Sequence, residues 1–207
     1  MSDDLITDVE HREALRVLSS ELAKRGYGMM ALGSSAVLLK SGAIGSTKDV
    51  DVHPFHIEDV EKYWTVLDEI ATALKGHYKF EKDGASVTLQ ITVRGRMVPV
   101  EFIEGREDFI EPHVLADALK SAKVVEGVYV PTWEHLVGMK TEAYFDRTGE
   151  KKTKYLADLG VIRERIEAAG EKLGAAELER VIRLRPEKKH QEMLQTAFRE
   201  LSAVIAG

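Results

Sequence analysis

The segment Thr47-Lys48-Asp49-Val50-Asp51-Val52-His53 limits most sharply what this chain can fold into. Its alternation has the two-residue period of a strand with one buried face. Val50 and Val52 would face a core, and Asp49 and Asp51 would project together from the other side. Two carboxylates held that close repel one another, so their pairing makes chemical sense around a divalent cation. Glu101 has the same setting further on, flanked by Val100 and Phe102. If its strand lies beside the Asp strand, three carboxylates converge. Such a set can hold two Mg²⁺ ions about 4 Å apart, the arrangement that clamps the attacking and leaving oxygens in phosphoryl-type transfer. Glu104 is a competitor for the third position.

Upstream, Gly33-Ser34-Ser35 reads as a turn or helix start after a short buried strand, Tyr27 to Leu32, and before the apolar Ala36 to Leu39. Glycine lets the backbone approach a phosphate, and the free N–H groups of a helix start attract an anion. The hydroxyls of Ser34 and Ser35 offer further hydrogen bonds.

The remaining pattern gives an α+β order. Leu15, Leu18 and Leu22 mark an amphipathic helix over residues 9–25. A second helix spans 57–75, with Val60, Trp64, Leu67, Ile70, Ala71 and Leu74 on its apolar face. The Asp strand is expected to stop at Pro54. Val87 to Val93 and Val98 to Phe102 alternate about Arg94-Gly95-Arg96, which predicts a hairpin. A helix over 112–121 and a short strand over 124–130 follow. From Thr132, a plausible N-cap, the pattern is helical throughout: to about Arg147, then 151–169, 175–185 and, past Pro186, 187–205. We place a domain boundary near residue 131, giving an α/β domain over 1–131 and a helical domain over 132–207. Trp64 is expected in the core, Arg94 and Arg96 in a turn, and Lys151, Lys152 and Lys154 in a solvated run.

Composition excludes several classes. The chain has 207 residues, 44% of them hydrophobic, no cysteine and a net charge of −6. Disulfides and thiolate metal sites are out, and a general nucleic-acid binder would be basic. The acidic excess lies in the first 131 residues, which suits cation binding. No apolar run approaches the roughly 20 residues of a membrane span, and Met1-Ser2-Asp3-Asp4 is unlike a secretory signal. A cytoplasmic protein without membrane attachment is the expectation. Gly42 to Lys48 superficially looks like a P-loop, but Lys follows Thr and a strand follows Lys. His53 and His56 are a weak metal pair, since Pro54 breaks their spacing.

A Gly-Ser turn, a short helix, Thr-x-Asp-hydrophobic-Asp and a later strand acid together resemble the DNA polymerase β-type nucleotidyltransferase superfamily. More narrowly, they resemble its small prokaryotic members related to AbiEii-type toxins. The segment Pro131-Thr132-Trp133-Glu134-His135-Leu136, with Lys140, Ala143, Arg147, Lys154 and Asp158, is similar to the helical part of that family. The resemblance covers most of residues 27–160. It implies a nucleotidyltransferase-like mixed sheet packed on helices, with a C-terminal helical domain. It implies metal binding and catalysis at Asp49, Asp51 and Glu101, with Mg as cofactor (two ions, with Mn an alternative). Substrate binding falls to Gly33, Ser34, Ser35, Thr47, Lys48, Lys140 and Arg147. The reaction implied moves a nucleoside monophosphate from a nucleoside triphosphate to a hydroxyl acceptor and releases pyrophosphate. The acceptor could be a tRNA, a small molecule or a protein, and a toxin or antitoxin partner is also implied. Two departures are visible. Ala43-Ile44-Gly45-Ser46 stands where these members often carry an Arg, and the third acid is Glu instead of the commoner Asp. They leave a second class open, a degenerate non-catalytic member acting as a binding or antitoxin-like protein.

Overall fold

The structure is a computed structural model that describes residues 5–44, 46–55, 60–80, 86–103, 110–145 and 149–205. Two compact units result: Met1–Glu104 with Ala122–Val130, and Gly105–Ser121 with Pro131–Gly207.

The first unit opens with a two-residue strand, β1 (Ile6–Thr7), and helix α1 (Asp8–Lys24). Thr7 starts α1 as a capping box: its hydroxyl accepts from the Glu10 N–H, and the Glu10 carboxylate accepts from the Thr7 N–H. Strand β2 (Gly28–Ala31) follows, then helix α2 (Gly33–Ser41), β3 (Ser46–Thr47), β4 (Val50–Phe55), helix α3 (Val60–Ala73), β5 (His77–Phe80), β6 (Ser86–Val93) and β7 (Arg96–Ile103). After helix α4 (Pro112–Ser121), which belongs to the second unit, the chain returns as β8 (Lys123–Val125) and β9 (Val128–Val130). Among the described residues the sheet has seven strands in the order β5-β6-β7-β4-β2-β9-β8. It is mixed: β4 runs parallel to β7, and β2 parallel to β9. Strands β1 and β3 pair separately.

The leucine spacing of α1 buries Leu15, Leu18 and Leu22 completely or nearly so. Their helix packs on β2, β4, β6, β7 and β9. Val50, Val52, Leu89, Ile91, Val98, Val100 and Phe102 form the buried side of the strands. The acids alternate with these apolar residues and take the other face.

Several expectations needed correction. Pro54 does not stop β4; it pairs with Met29 inside the strand. The Leu32 N–H donates to the Asp51 carbonyl, which sets alternate β4 residues 51, 53 and 55 to bond β2. Pro54 therefore turns its missing N–H toward β7, whose ladder with β4 covers only Val50–Val52. The single strand expected over 124–130 is a hairpin, turned by Glu126 and Gly127 at φ 52° and 81°. Trp64 is only half-buried, because α3 buries Tyr63, Val66, Leu67, Ile70 and Ala71 instead. Arg94 does sit in the β6–β7 turn and bonds Glu13, whereas Arg96 opens β7 and bonds Glu10. Strands β1, β3 and β5 had no sequence expectation.

In the second unit, α4 is joined by α5 (Trp133–Phe145), α6 (Gly149–Ala168), α7 (Ala175–Ile182) and α8 (Lys188–Ile205). The third helix of this run ends earlier than the 185 expected. Arg185 instead turns inward and meets Glu142 of α5 at 2.5 Å, with both side chains buried. Asp117 of α4 accepts hydrogen bonds from Arg180 of α7 and His135 of α5. Among the described residues no helix is long and apolar enough to cross a membrane.

Candidate metal and nucleotide site

The parallel β4–β7 ladder puts Asp51 directly opposite Glu101. Asp49 lies just before β4, two residues from Asp51, and so shares its side. One carboxylate oxygen from each of Asp49, Asp51 and Glu101 lies within 4.8 Å of the others, and all three residues are half-buried. Three acids this close fit a divalent cation by number, chemistry and spacing, because carboxylate oxygens are the ligands hard cations prefer. Glu104 lies outside the described residues.

Helix α2 begins against this group. Its N-cap is the extended Leu32, which has no side chain to cap the first N–H groups. Gly33 has φ +47°, and a Cβ built there would fall 2.3 Å from the Asp51 Oδ2. Only glycine allows the helix start and the carboxylate to come so close. Ser34 is half-buried, and its Oγ lies 3.3 Å from the Thr47 Oγ1, which donates in turn to the Asp49 carbonyl. Lys48 is exposed. The positive end of α2 therefore faces the acids, a setting that favours a bound anion once a cation is present.

Ser35, expected to face substrate, is fully buried. Its Oγ accepts from the Asp51 N–H at 2.9 Å and lies 2.8 Å from the Nε2 of His11 on α1. His11 is itself fully buried, and burial pushes it down to about 4. Sequence reading missed His11. His11 continues the leucine stripe of α1 one turn before Leu15, which signals burial, but carries no signal of what it will touch 24 residues away. His53 donates from Nδ1 to the Ile103 carbonyl at 2.8 Å, and burial lowers its pKa. His56, its supposed companion, lies outside the described residues.

In the second unit, Lys140 donates to Asp158 of α6 at 2.6 Å. Both residues belong to the segment that resembles nucleotidyltransferases. Arg147 lies outside the described residues.

Solved structures share this fold. An antigenic nucleotidyltransferase-like protein from Paracoccidioides brasiliensis is 15% identical, with a TM-score of 0.61 over 98% of this chain and 94% of that one. The antibiotic-resistance factor ANT(2'')-Ia is also 15% identical, with a TM-score of 0.50 over 97% of both chains. The Megavirus polyadenylate synthase is 11% identical, with a TM-score of 0.52 over 81% of this chain and 33% of that one. No curated protein matches the sequence. Residues 11–198 match the family model described as "Nucleotidyl transferase of unknown function (DUF2204)", and the chain belongs to that family.

Proposed function

We propose that this protein is a Mg²⁺-dependent nucleotidyltransferase that moves a nucleoside monophosphate from a nucleoside triphosphate to a hydroxyl acceptor. The observation that carries this reading is the convergence of Asp49, Asp51 and Glu101 within 4.8 Å on neighbouring strands, faced by the uncapped start of α2. Asp49, Asp51 and Glu101 would hold one or two Mg²⁺ ions, with Mn²⁺ as a substitute, and the ions would supply charge neutralisation at the phosphates. Gly33 and Ser34 cradle phosphate oxygens through backbone N–H and hydroxyl groups. Thr47 and Lys48 flank them, and the resemblance of the sequence also assigns substrate binding to Lys140 and Arg147. In the reaction the acceptor oxygen bonds the α-phosphorus, the bond to the β-phosphate oxygen breaks and pyrophosphate leaves. The acceptor's proton passes to the Glu101 carboxylate.

The narrower kinship with AbiEii-type toxins, and the toxin or antitoxin partner it implies, rest on the motif pattern of the sequence. A non-catalytic binding or antitoxin-like role is the second reading. It is favoured by Ala43-Ile44-Gly45-Ser46 standing where an Arg is common, and by the hold of Asp158 on Lys140. Incubation with each α-labelled triphosphate, Mg²⁺ and a cell extract separates the two. Transfer of label to one fraction, lost on chelation, supports the enzyme. No label, together with no Mg²⁺-dependent triphosphate binding by calorimetry, refutes it.

A further inference from the structure

We infer that Ser35 and His11 are positioning residues for the metal ligand Asp51, a buried relay that fixes the acid group from behind. The inference rests on the metal-site reading above.

Asp51 sits where β2 has already turned off into α2. The last rung from β2 is the Leu32 N–H to the Asp51 carbonyl, at 3.0 Å. A regular ladder would return the Asp51 N–H to the Leu32 carbonyl, but that carbonyl is committed to α2 and accepts from the Ala36 N–H. The Ser35 hydroxyl takes its place at 2.9 Å. The α2 first turn thus holds Asp51 at its carbonyl, at its N–H, and by the close approach of Gly33 to its carboxylate. Among these contacts only the Ser35 hydroxyl can rotate, and His11 is what orients it.

His11 Nδ1 has no hydrogen-bond partner among the described residues. A proton on Nε2 would leave the buried Ser35 O–H without an acceptor, so the fewest groups go unpaired when the Ser35 hydroxyl donates to Nε2. The Ser35 oxygen then accepts from the Asp51 N–H while its proton is held by His11, which fixes the rotamer of the hydroxyl. Neither His11 nor Ser35 is accessible to a ligand, and neither contributes apolar packing through its polar atoms. Their arrangement is explained by the strand end they complete. Supporting groups of this kind commonly tune metal affinity by 10–100-fold.

The test is Mn²⁺ binding to the full-length protein, read from the electron paramagnetic resonance signal of free Mn²⁺ at a temperature where every variant is folded. Ser35→Ala and His11→Phe should each weaken Mn²⁺ binding about tenfold or more. His11→Gln keeps a polar group able to accept from or donate to the Ser35 hydroxyl and should stay within about threefold of the unaltered protein. Leu22→Ala, a core truncation elsewhere on α1, should lower the melting temperature and leave Mn²⁺ affinity unchanged. If Ser35→Ala does not fold, the contrast between His11→Phe and His11→Gln carries the test. Unaltered affinity in Ser35→Ala or His11→Phe overturns the inference while leaving the metal site standing. Equal weakening in Leu22→Ala also overturns it, since affinity then follows general stability. Failure of the unaltered protein to bind Mn²⁺ removes the metal-site reading, and this inference with it.

Discussion

Replacing Asp49 by Asn separates a metal-binding acid from a structural one, because the two roles move stability in opposite directions. Without a cation, Asp49 faces two like charges within 4.8 Å. At that distance a unit-charge pair repels by about 0.9 kcal/mol in bulk water and by about 3.5 kcal/mol at an effective dielectric of 20. The three residues are half-buried, so solvent and salt screen them and the lower figure is the better guide. Removing one charge ends two such repulsions. The apo Asp49→Asn protein should therefore be as stable as the parent or more stable, by about 1–2 kcal/mol. For a chain of this size that is a rise in melting temperature of roughly 2–8 °C.

With metal the order should reverse. A cation at about 100 times its dissociation constant stabilises the folded state by about 2.7 kcal/mol. The unaltered protein should gain this as Mg²⁺ or Mn²⁺ is titrated, and Asp49→Asn should gain little. Scanning calorimetry with and without metal gives both numbers. If the apo variant melts well below the parent, or if its metal response is intact, Asp49 holds the fold together and is not a cation ligand.

Gly33→Ala should lose metal-dependent stabilisation and about 1–3 kcal/mol of stability, because its Cβ would meet the Asp51 Oδ2 at 2.3 Å at a positive φ; chemical denaturation with and without Mn²⁺ measures both. Lys140→Ala should weaken triphosphate binding by about 1–3 kcal/mol in calorimetry and leave Mg²⁺ binding alone unchanged, with Lys151→Ala as the silent control; equal effects would mean a diffuse field. His11 ties stability to pH. Its folded pKa of about 4 lies below the ordinary 6.5, so between those values the unfolded chain binds a proton that the folded chain refuses. The associated stability is present above about 6.5, falls as pH drops toward 4, and amounts to something on the order of 3 kcal/mol. His11→Gln should flatten that part of a denaturation-against-pH curve, and an unchanged slope would show that His11 is not its source.

The acid strands were legible because their signal is local. Val50 and Val52 declare a buried face, and Asp49 and Asp51 then have only one side to occupy. The same reasoning placed Glu101 on a strand, but no periodicity says which strand lies beside which. The parallel register of Asp51 with Glu101 is set by long-range packing, and the resemblance to nucleotidyltransferases supplied it as an expectation. Pro54 shows how a local rule fails. A proline ends a strand only when its N–H is needed, and here β7 has already diverged. Strand β5 and the β8–β9 hairpin were missed or merged for a related reason. Their residues are runs of three or four, too short to show a period, and β9 is anchored by β2 from far upstream.

Ser35 and His11 mark the boundary of what such a reading reaches. From sequence, Ser34 and Ser35 are equivalent hydroxyls after a glycine, and both were assigned to substrate. The helix separates them. One residue step of α2, about 100°, leaves Ser34 toward Thr47 and buries Ser35 against β4, where the N–H of Asp51 awaits an acceptor. A glycine-serine-serine start thus offers two hydroxyls from adjacent positions: an outward one, proposed for an anion, and an inward one that finishes a strand. The inward hydroxyl demands a partner to orient it, and α1 supplies His11 from its buried side. Asp51 is therefore held by the same helix whose first turn is proposed to take the phosphates. A shift of α2 would displace Asp51 and the proposed anion cradle together.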